Sequence, residues 1–125
     1  ATDISGFGFA GHALEMVQRD DLTLNFFLDK IPFFREASQM YLNGITTRVN
    51  KINREMVEKH WSFANETNPE EQELLLDPQT SGGLLFAIPE GQSKQALKAL
   101  HNAGVTSSKQ VGFVSEFKSA KLLFS

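Results

Sequence analysis

The chain has 125 residues, 41% of them hydrophobic and 22% charged, and a net charge of −3 at pH 7. This length predicts one domain that buries roughly two thirds of its unfolded surface, and the composition excludes disorder, collagen-like repeats and coiled coil. The slight negative charge gives no reason to bind nucleic acid, no apolar run approaches the ~20 residues that span a bilayer, and the absence of cysteine fits the reducing cytoplasm.

Apolar periodicity alternates between helix and strand along the first half of the chain. The first two segments are a helix over residues 9–19 and a strand with one buried face over residues 22–26. Three predicted helices follow, each with its own start or stop signal: Pro32 to Asn43-Gly44, about residue 48 to His60, and Asn68-Pro69 towards Leu75. In the second of these, Val49, Ile52 and Met56 form the apolar face.

The second half predicts a central strand, a helix and a closing hairpin. Residues 84–88 are apolar on both faces and end at Pro89, which indicates a strand in the middle of a sheet. A helix follows and ends at Gly104; its apolar stripe is Ala96, Leu97, Leu100 and Ala103. Residues 111–117 and 121–124 are strands close enough to form a hairpin. The expected fold is therefore α+β: a mixed, largely antiparallel sheet with packed helices.

Asp3 is the first candidate functional residue, because it directly precedes a Gly-x-Gly turn at Gly6 and Gly8. In phosphoryl-transfer sites Mg²⁺ takes one or two carboxylates and completes its shell with waters and phosphates, so one Asp suffices. The alternative, which the residue type alone favours, is that Asp3 caps the turn or the next helix. The glycines are not a dinucleotide fingerprint, because no βα context precedes them. They more simply let the loop lie under a helix start, and His12, without a second His or Cys at ligand spacing, is expected to be structural.

A second glycine-rich segment, DPQTSGG at residues 77–83, directly precedes the apolar run. Its residues Thr80, Ser81, Gly82 and Gly83 could cradle an anion with backbone N–H groups and hydroxyls. Equally, the glycines could allow a bulge or close packing against another domain. A basic helix face is expected to be solvated rather than to bind phosphate or a partner; it consists of Arg48, Lys51, Arg54 and Lys59.

The two glycine-rich motifs, in this order, resemble the bacterial selenophosphate synthetase (selenide, water dikinase) family. The matching segments are TDISGFGFAGH at 2–12, LEM at 14–16, LDKIP at 28–32, DPQTSGGLL at 77–85 and VGFV at 111–114. The chain departs from the family between residues 43 and 55, where many members have Gly-Gly-Thr and then Asn, while this sequence has GITTRVN at 44–50. Similar segments occur in purine-pathway, thiamine-phosphate and hydrogenase-maturation enzymes.

The resemblance implies that residues 1–125 are the C-terminal domain of a longer enzyme, with the fold of the C-terminal domain of aminoimidazole ribonucleotide synthase. Such an enzyme makes selenophosphate from selenide and ATP with Mg²⁺, releases AMP and phosphate, and is commonly a homodimer. Its N-terminal domain carries the catalytic Cys or selenocysteine and a Lys, so this fragment would hold no catalytic residue and be inactive alone. Asp3 would join N-terminal carboxylates at Mg²⁺.

In the enzyme that the resemblance implies, Thr2, Gly6 and Gly8 would frame the nucleotide phosphates, and the anion-cradle interpretation would add Thr80, Ser81, Gly82 and Gly83. Two alternatives remain open at the level of sequence. One is another ATP-dependent enzyme of the same superfamily, in hydrogenase maturation or purine biosynthesis. The other is a non-catalytic interaction domain that has kept the fold.

Overall fold

Five α-helices and six short strands make up the chain, described over all residues, 1–125, by a computed structural model. The helices are α1 (Gly8–Val17), α2 (Arg35–Leu42), α3 (Arg48–Val57), α4 (Pro69–Leu76) and α5 (Ser93–Asn102). The strands are β1 (Thr2–Asp3), β2 (Leu22–Phe26), β3 (Trp61–Phe63), β4 (Leu84–Leu85), β5 (Gly112–Glu116) and β6 (Leu122–Phe124). None of the helices combines the length and the hydropathy of a membrane span.

The main sheet has four strands in the order β3-β6-β2-β5, and β1 pairs with β4 in a separate two-stranded ladder. β2 is antiparallel to β5, with Leu24 opposite Val114, and parallel to β6, with Leu24 opposite Leu122. β3 is parallel to β6, so the two sheets together contain two parallel and two antiparallel pairings. The mixed sheet with its helices confirms the predicted α+β fold.

The predicted closing hairpin is wrong, because β5 and β6 lie on opposite sides of β2 and do not pair with each other. Neighbouring strands are about 4.8 Å apart, so this connection has to cross about 10 Å. The short linker at residues 117–121 can do so, since an extended chain covers about 3.3 Å per residue. The length of this linker is thus compatible with a hairpin and with the observed crossing, and the position of β2 between β5 and β6 decides for the crossing.

The hydrophobic core lies between α1 and the face of the sheet that carries Leu24, Phe26, Leu122 and Phe124. Phe124 is fully buried, and its ring stacks on Phe26 and Phe63 with centroids 5.4 and 5.2 Å away. Most of the remaining core comes from α1 and from the last turn of α4: Ala10, Ala13, Leu14, Val17, Leu75 and Leu76. The core therefore places the start of α1 beside the end of α4.

Side-chain caps lie at the start of two helices, and the one at α4 marks the start that the sequence predicts. α4 begins with Pro69, and the Glu71 carboxylate accepts a hydrogen bond from the Asn68 backbone N–H at 3.3 Å. α3 begins after Thr47, whose hydroxyl accepts a hydrogen bond from the Asn50 backbone N–H at 3.2 Å. These caps fix where both helices start.

The buried face of α3 differs from the prediction. Val49 and Ile52 are 38% and 64% exposed, whereas Asn50, Asn53 and Val57 are buried. The reason is that this face of α3 meets the end of α4 and the loop before α1, where backbone carbonyls lack helix partners. Amide side chains supply the N–H groups that these carbonyls require, so a polar stripe is buried here.

The predicted central strand at residues 84–88 is also wrong. Only Leu84 and Leu85 form a strand, they pair only with β1, and Leu84, Phe86 and Ile88 are exposed. Both sides of β2 are already occupied by β5 and β6, so no central position is left. Residues 86–110, which include α5, form hydrogen bonds only among themselves and with Gly112, and α5 buries no residue.

Candidate functional site

The two glycine-rich motifs come together in space. In the β1–β4 ladder Thr2 lies opposite Leu85 and Asp3 opposite Leu84. The ladder is extended by Ile4 N–H, which donates to Gly83 O at 2.8 Å, and by Gln79 N–H, which donates to Ser5 O at 3.0 Å. Residues 2–8 and 79–85, called here the paired loops, therefore form one continuous surface.

Gly82 lets the two paired loops approach each other, and Gly8 lets the first of them approach the end of α4. A Cβ at Gly82 would lie 2.4 Å from the Ile4 carbonyl oxygen, closer than any real Cβ contact. Gly8 has φ +68°, and a Cβ there would lie 2.7 Å from the carbonyl carbon and oxygen of Leu76. Both glycines therefore allow close packing within the chain, Gly82 against Ile4 and Gly8 against Leu76; packing of Gly82 against another domain stays a prediction.

The other predicted residues of the paired loops leave an open surface. A Cβ at Gly6 or Gly83 would have no neighbour within 4 Å. Thr80 and Ser81 are exposed and their hydroxyls form no hydrogen bond within the chain, while Ser81 adopts the left-handed conformation with φ 56°. Left-handed non-glycine residues are strained and cluster at functional sites, and free hydroxyls beside open backbone are the groups that an anion can use.

The Asp3 side chain is exposed and engages nothing within the chain: its carboxylate accepts no hydrogen bond and forms no ion pair. The N-cap of α1 is Phe7, without a side-chain cap, so the capping alternative for Asp3 is wrong. No group of three or more His, Cys, Asp or Glu side chains could enclose a metal ion. The Asp3 carboxylate could give Mg²⁺ one oxygen ligand, and the other ligands would have to come from elsewhere.

His12 is a structural residue, as the sequence predicted. It is 7% exposed, and its Nε2 accepts a hydrogen bond from Phe7 N–H at 3.4 Å and lies 3.0 Å from Ser5 Oγ. Its Nδ1 lies 2.9 Å from Glu15 Oε2. With the proton on Nδ1, all three contacts are satisfied. The ring thus closes the turn between β1 and α1 and has no free nitrogen for a metal.

Two buried polar groups behind the paired loops were not predicted from the sequence. Asn53 donates one side-chain N–H to Gly6 O at 3.0 Å and one to Leu76 O at 2.9 Å. Tyr41 donates its hydroxyl to the Asp77 carboxylate, which also accepts from Gln79 Nε2 at 2.7 Å. The only signal in the sequence was the pair of asparagines three residues apart in α3, and amide side chains on a helix usually face water.

Burial raises the pKa of Tyr41 well above its ordinary value, and the hydrogen bond to Asp77 raises it further. The phenol therefore stays protonated and remains a donor at neutral pH. Asn50 donates to the same hydroxyl oxygen at 3.0 Å and to a Glu73 carboxylate oxygen at 2.7 Å. This network holds the Asp77-Pro78 turn, where the second motif begins.

Comparison with known proteins agrees with the two motifs. Residues 1–123 match the family described as AIR synthase related protein, C-terminal domain. The chain belongs to this family. Among curated relatives, the "Selenide, water dikinase" of Carboxydothermus hydrogenoformans is 36% identical over 92% of this chain, and that of Bdellovibrio bacteriovorus is 33% identical over 98%. A third, from Clostridium botulinum, is 35% identical over 81%.

The chain spans about a third of the length of these relatives, with shares of 33%, 31% and 29%. Membership of the AIR synthase related C-terminal domain family confirms the resemblance drawn from the two motifs. It also agrees with the observed α+β fold. The activity that the relatives' names state is an activity of proteins about three times as long as this chain.

In this member of the AIR synthase related C-terminal domain family, the predicted basic face is solvated only in part, because one of its four cations is paired within the chain. Arg54 pairs with Glu73 at 2.8 Å and lies over the Trp61 ring, with 5.5 Å from its guanidinium carbon to the ring centroid. Three cations of this face are exposed and form no ion pair, which agrees with the solvated interpretation: Arg48, Lys51 and Lys59.

Proposed function

We propose that this chain is the C-terminal domain of a selenophosphate synthetase, which forms selenophosphate from selenide and ATP and releases AMP and phosphate. The observation that carries the proposal is the unengaged Asp3 carboxylate at the edge of the paired loops, beside open glycine backbone. A carboxylate without an internal partner is free to bind a cation, and the adjacent backbone leaves room for phosphate. The similarity to proteins named "Selenide, water dikinase" supports this substrate.

In this proposal, Asp3 supplies one oxygen ligand to Mg²⁺, and the ion, when bound, neutralises the charge on the phosphate oxygens of ATP. The open parts of the paired loops lie next to the phosphates: Gly6, Thr80, Ser81 and Gly83. Thr2, which is part-exposed and donates its hydroxyl to Asp3 O at 3.3 Å, is placed there with them. Gly8 and Gly82 act indirectly, since Gly8 allows close packing against Leu76 and Gly82 allows the two loops to pack against each other at Ile4. The chain itself contributes no nucleophile.

The remaining Mg²⁺ ligands and the catalytic Cys or selenocysteine, together with a Lys, are assigned to an N-terminal domain of the same enzyme. Leu84 lies opposite Asp3 in the ladder and is 74% exposed, and Phe7, four residues after Asp3 in the same loop, is 46% exposed. Two large exposed apolar side chains on the paired loops suit a surface that another domain covers. The intact enzyme is proposed to be a cytoplasmic homodimer in which this chain holds the paired loops against its own N-terminal domain.

The test compares two Asp→Asn substitutions in the full-length enzyme. Asp3→Asn removes the ligand charge without changing the shape, and Asp21→Asn makes the same change at another exposed carboxylate without a side-chain partner. We expect Asp3→Asn to lower Mg²⁺-dependent ATP turnover by about 10- to 100-fold or more, the range seen when a residue that supports a metal site is lost. Asp21→Asn should behave as wild type.

Equal turnover in the Asp3→Asn and Asp21→Asn enzymes would remove the proposed role of Asp3. The substrate is tested separately by measuring AMP formation with and without selenide. Turnover that needs selenide supports the synthetase, whereas turnover that does not need it favours another ATP-dependent enzyme of the superfamily.

A further inference from the structure

The Asn53 side chain lies at the junction between the paired loops and the helices behind them. It is 1% exposed, and its single amide group offers two N–H donors. One reaches Gly6 O at 3.0 Å and the other reaches Leu76 O at 2.9 Å. One planar group therefore binds two carbonyls that lie 70 residues apart in the sequence.

The two carbonyls belong to the two segments that carry the candidate site. Gly6 follows Asp3 by three residues, in the loop that carries the carboxylate. Leu76 ends α4 and directly precedes Asp77, the first residue of the DPQTSGG segment. Carbonyls at a helix end have no partner inside the helix, so the donor for Leu76 has to come from elsewhere. Gly8 packs against the same Leu76 carbonyl, with no space for a Cβ.

The choice of the buried face of α3 also indicates that the Asn53 hydrogen bonds are important. Apolar periodicity predicts that Ile52 faces the core, yet Ile52 is 64% exposed and its neighbour Asn53 is buried. Turning the helix so that an amide replaces an isoleucine at the buried position gives up apolar burial. This orientation is explained by the hydrogen bonds that only the amide can donate to both carbonyls.

We propose that Asn53 is a positioning residue, which fixes the Asp3 loop relative to the DPQTSGG segment so that the carboxylate and the open backbone face the same metal–nucleotide complex. This inference rests on the proposed function, since it assigns a purpose to the geometry of that site. Asn53 touches neither metal nor nucleotide in this account. It acts through the Gly6 and Leu76 carbonyls alone.

The test in the full-length enzyme compares Asn53→Asp with Asn25→Asp. Both residues are buried asparagines, but Asn25 donates to Thr23 O, Phe113 O and Ser115 Oγ in the sheet, away from the paired loops. Each substitution keeps the side-chain shape and removes the two N–H donors. We expect both to lower the unfolding midpoint. At a temperature where both enzymes are folded, only Asn53→Asp should lower kcat/KM for ATP, by about 10- to 100-fold, as expected when a positioned group moves by about 1 Å.

Amide hydrogen exchange of the full-length enzyme gives a readout that does not depend on activity. Two amides report on the paired loops: Ile4 N–H, bonded to Gly83 O, and Gly8 N–H, bonded to Ser5 O. Leu24 N–H, bonded to Lys121 O, reports on the sheet. Asn53→Asp should speed exchange at Ile4 and Gly8 about tenfold more than at Leu24, and Asn25→Asp should give the reverse order. If Asn53→Asp does not fold, Asn53→Ser, a smaller single donor, takes its place.

The outcomes separate the two proposals. If Asp3→Asn is impaired while Asn53→Asp keeps wild-type kcat/KM and wild-type exchange at Ile4 and Gly8, the positioning role of Asn53 is overturned and the proposed function stands. If Asp3→Asn is fully active, the proposed function fails and the inference fails with it. Equal losses of kcat/KM in Asn53→Asp and Asn25→Asp would show a general effect of destabilisation and would also overturn the inference.

Discussion

Gly82 and Gly83 are adjacent glycines in the same loop, and the structure assigns them opposite tolerance to a methyl group. A Cβ at Gly82 would lie 2.4 Å from Ile4 O and 3.0 Å from Gln79 Cβ, and a Cβ at Gly83 would meet nothing within 4 Å. The Ile4 oxygen belongs to the backbone, so Gly82→Ala has to push the paired loops apart. Forced repacking of this kind costs about 1–3 kcal/mol. Gly83→Ala instead changes stability by less than about 1 kcal/mol, and it stabilises if it restricts only the unfolded chain.

Urea unfolding of the 125-residue chain, followed by the fluorescence of its single Trp at position 61, measures both free energies. We expect Gly82→Ala to be less stable than Gly83→Ala by about 2 kcal/mol, which at about 4 °C per kcal/mol lowers the thermal midpoint by roughly 8 °C. The slope of free energy against urea should stay constant, because neither change alters the surface exposed on unfolding. Equal midpoints for the two variants would refute the close packing of Gly82 against Ile4, and with it the pairing of the two motifs.

Three further predictions concern the rest of the chain. Tyr41, the single Tyr, has its pKa raised by burial; the folded chain keeps this proton to higher pH than the unfolded chain. The free energy of unfolding should therefore fall above about pH 10, by at most about 1.4 kcal/mol per pH unit, and Tyr41→Phe should lack this part of the slope in urea titrations. Phe124→Ala, at a fully buried ring, should cost about 3–5 kcal/mol, whereas Phe34→Ala, at a ring that is 76% exposed, should stay within about 0.5 kcal/mol; equal costs would contradict the assigned core. Residues 86–110 form hydrogen bonds almost entirely among themselves, so trypsin should cut first at Lys94, Lys98 or Lys109. Mass spectrometry of the early fragments measures this. First cuts in α3 would contradict the arrangement.

Elements with local signals were predictable from the sequence. The first helix was expected over residues 9–19 and lies at Gly8–Val17, and the strand at Leu22–Phe26 has the expected bounds. α4 starts where Asn68-Pro69 indicates. Each of these depends on periodicity or on a cap, which a few neighbouring residues determine.

Elements that depend on distant partners were not predictable. The two-residue strand β1 and the three-residue β3 are too short to show a period and exist through β4 and β6. The apolar run at 84–88 indicates a preference for burial but not a place in the sheet, and both sides of β2 were taken by other strands. The spacing of β5 and β6 suited a hairpin equally well.

The candidate site, too, was predictable only in part. Asp3 and the two glycine motifs could be singled out because they carry the resemblance to the selenophosphate synthetase family, whereas the residue type of Asp3 alone favoured a cap. That β1 and β4 bring them together could not be derived, because the pairing joins residues about 80 positions apart. Asn53 was not singled out from the sequence, since only the folded chain brings Gly6 and Leu76 within its reach.

The central claim is that the Asp3 carboxylate binds the magnesium ion of a bound nucleotide. A crystal structure of the full-length enzyme with Mg²⁺ and a non-hydrolysable ATP analogue tests it most directly. We expect one Asp3 carboxylate oxygen at about 2.1 Å from the ion, the distance that octahedral Mg²⁺ requires. An Asp3 side chain that faces away from the ion and bonds only to groups of its own loop would contradict the account.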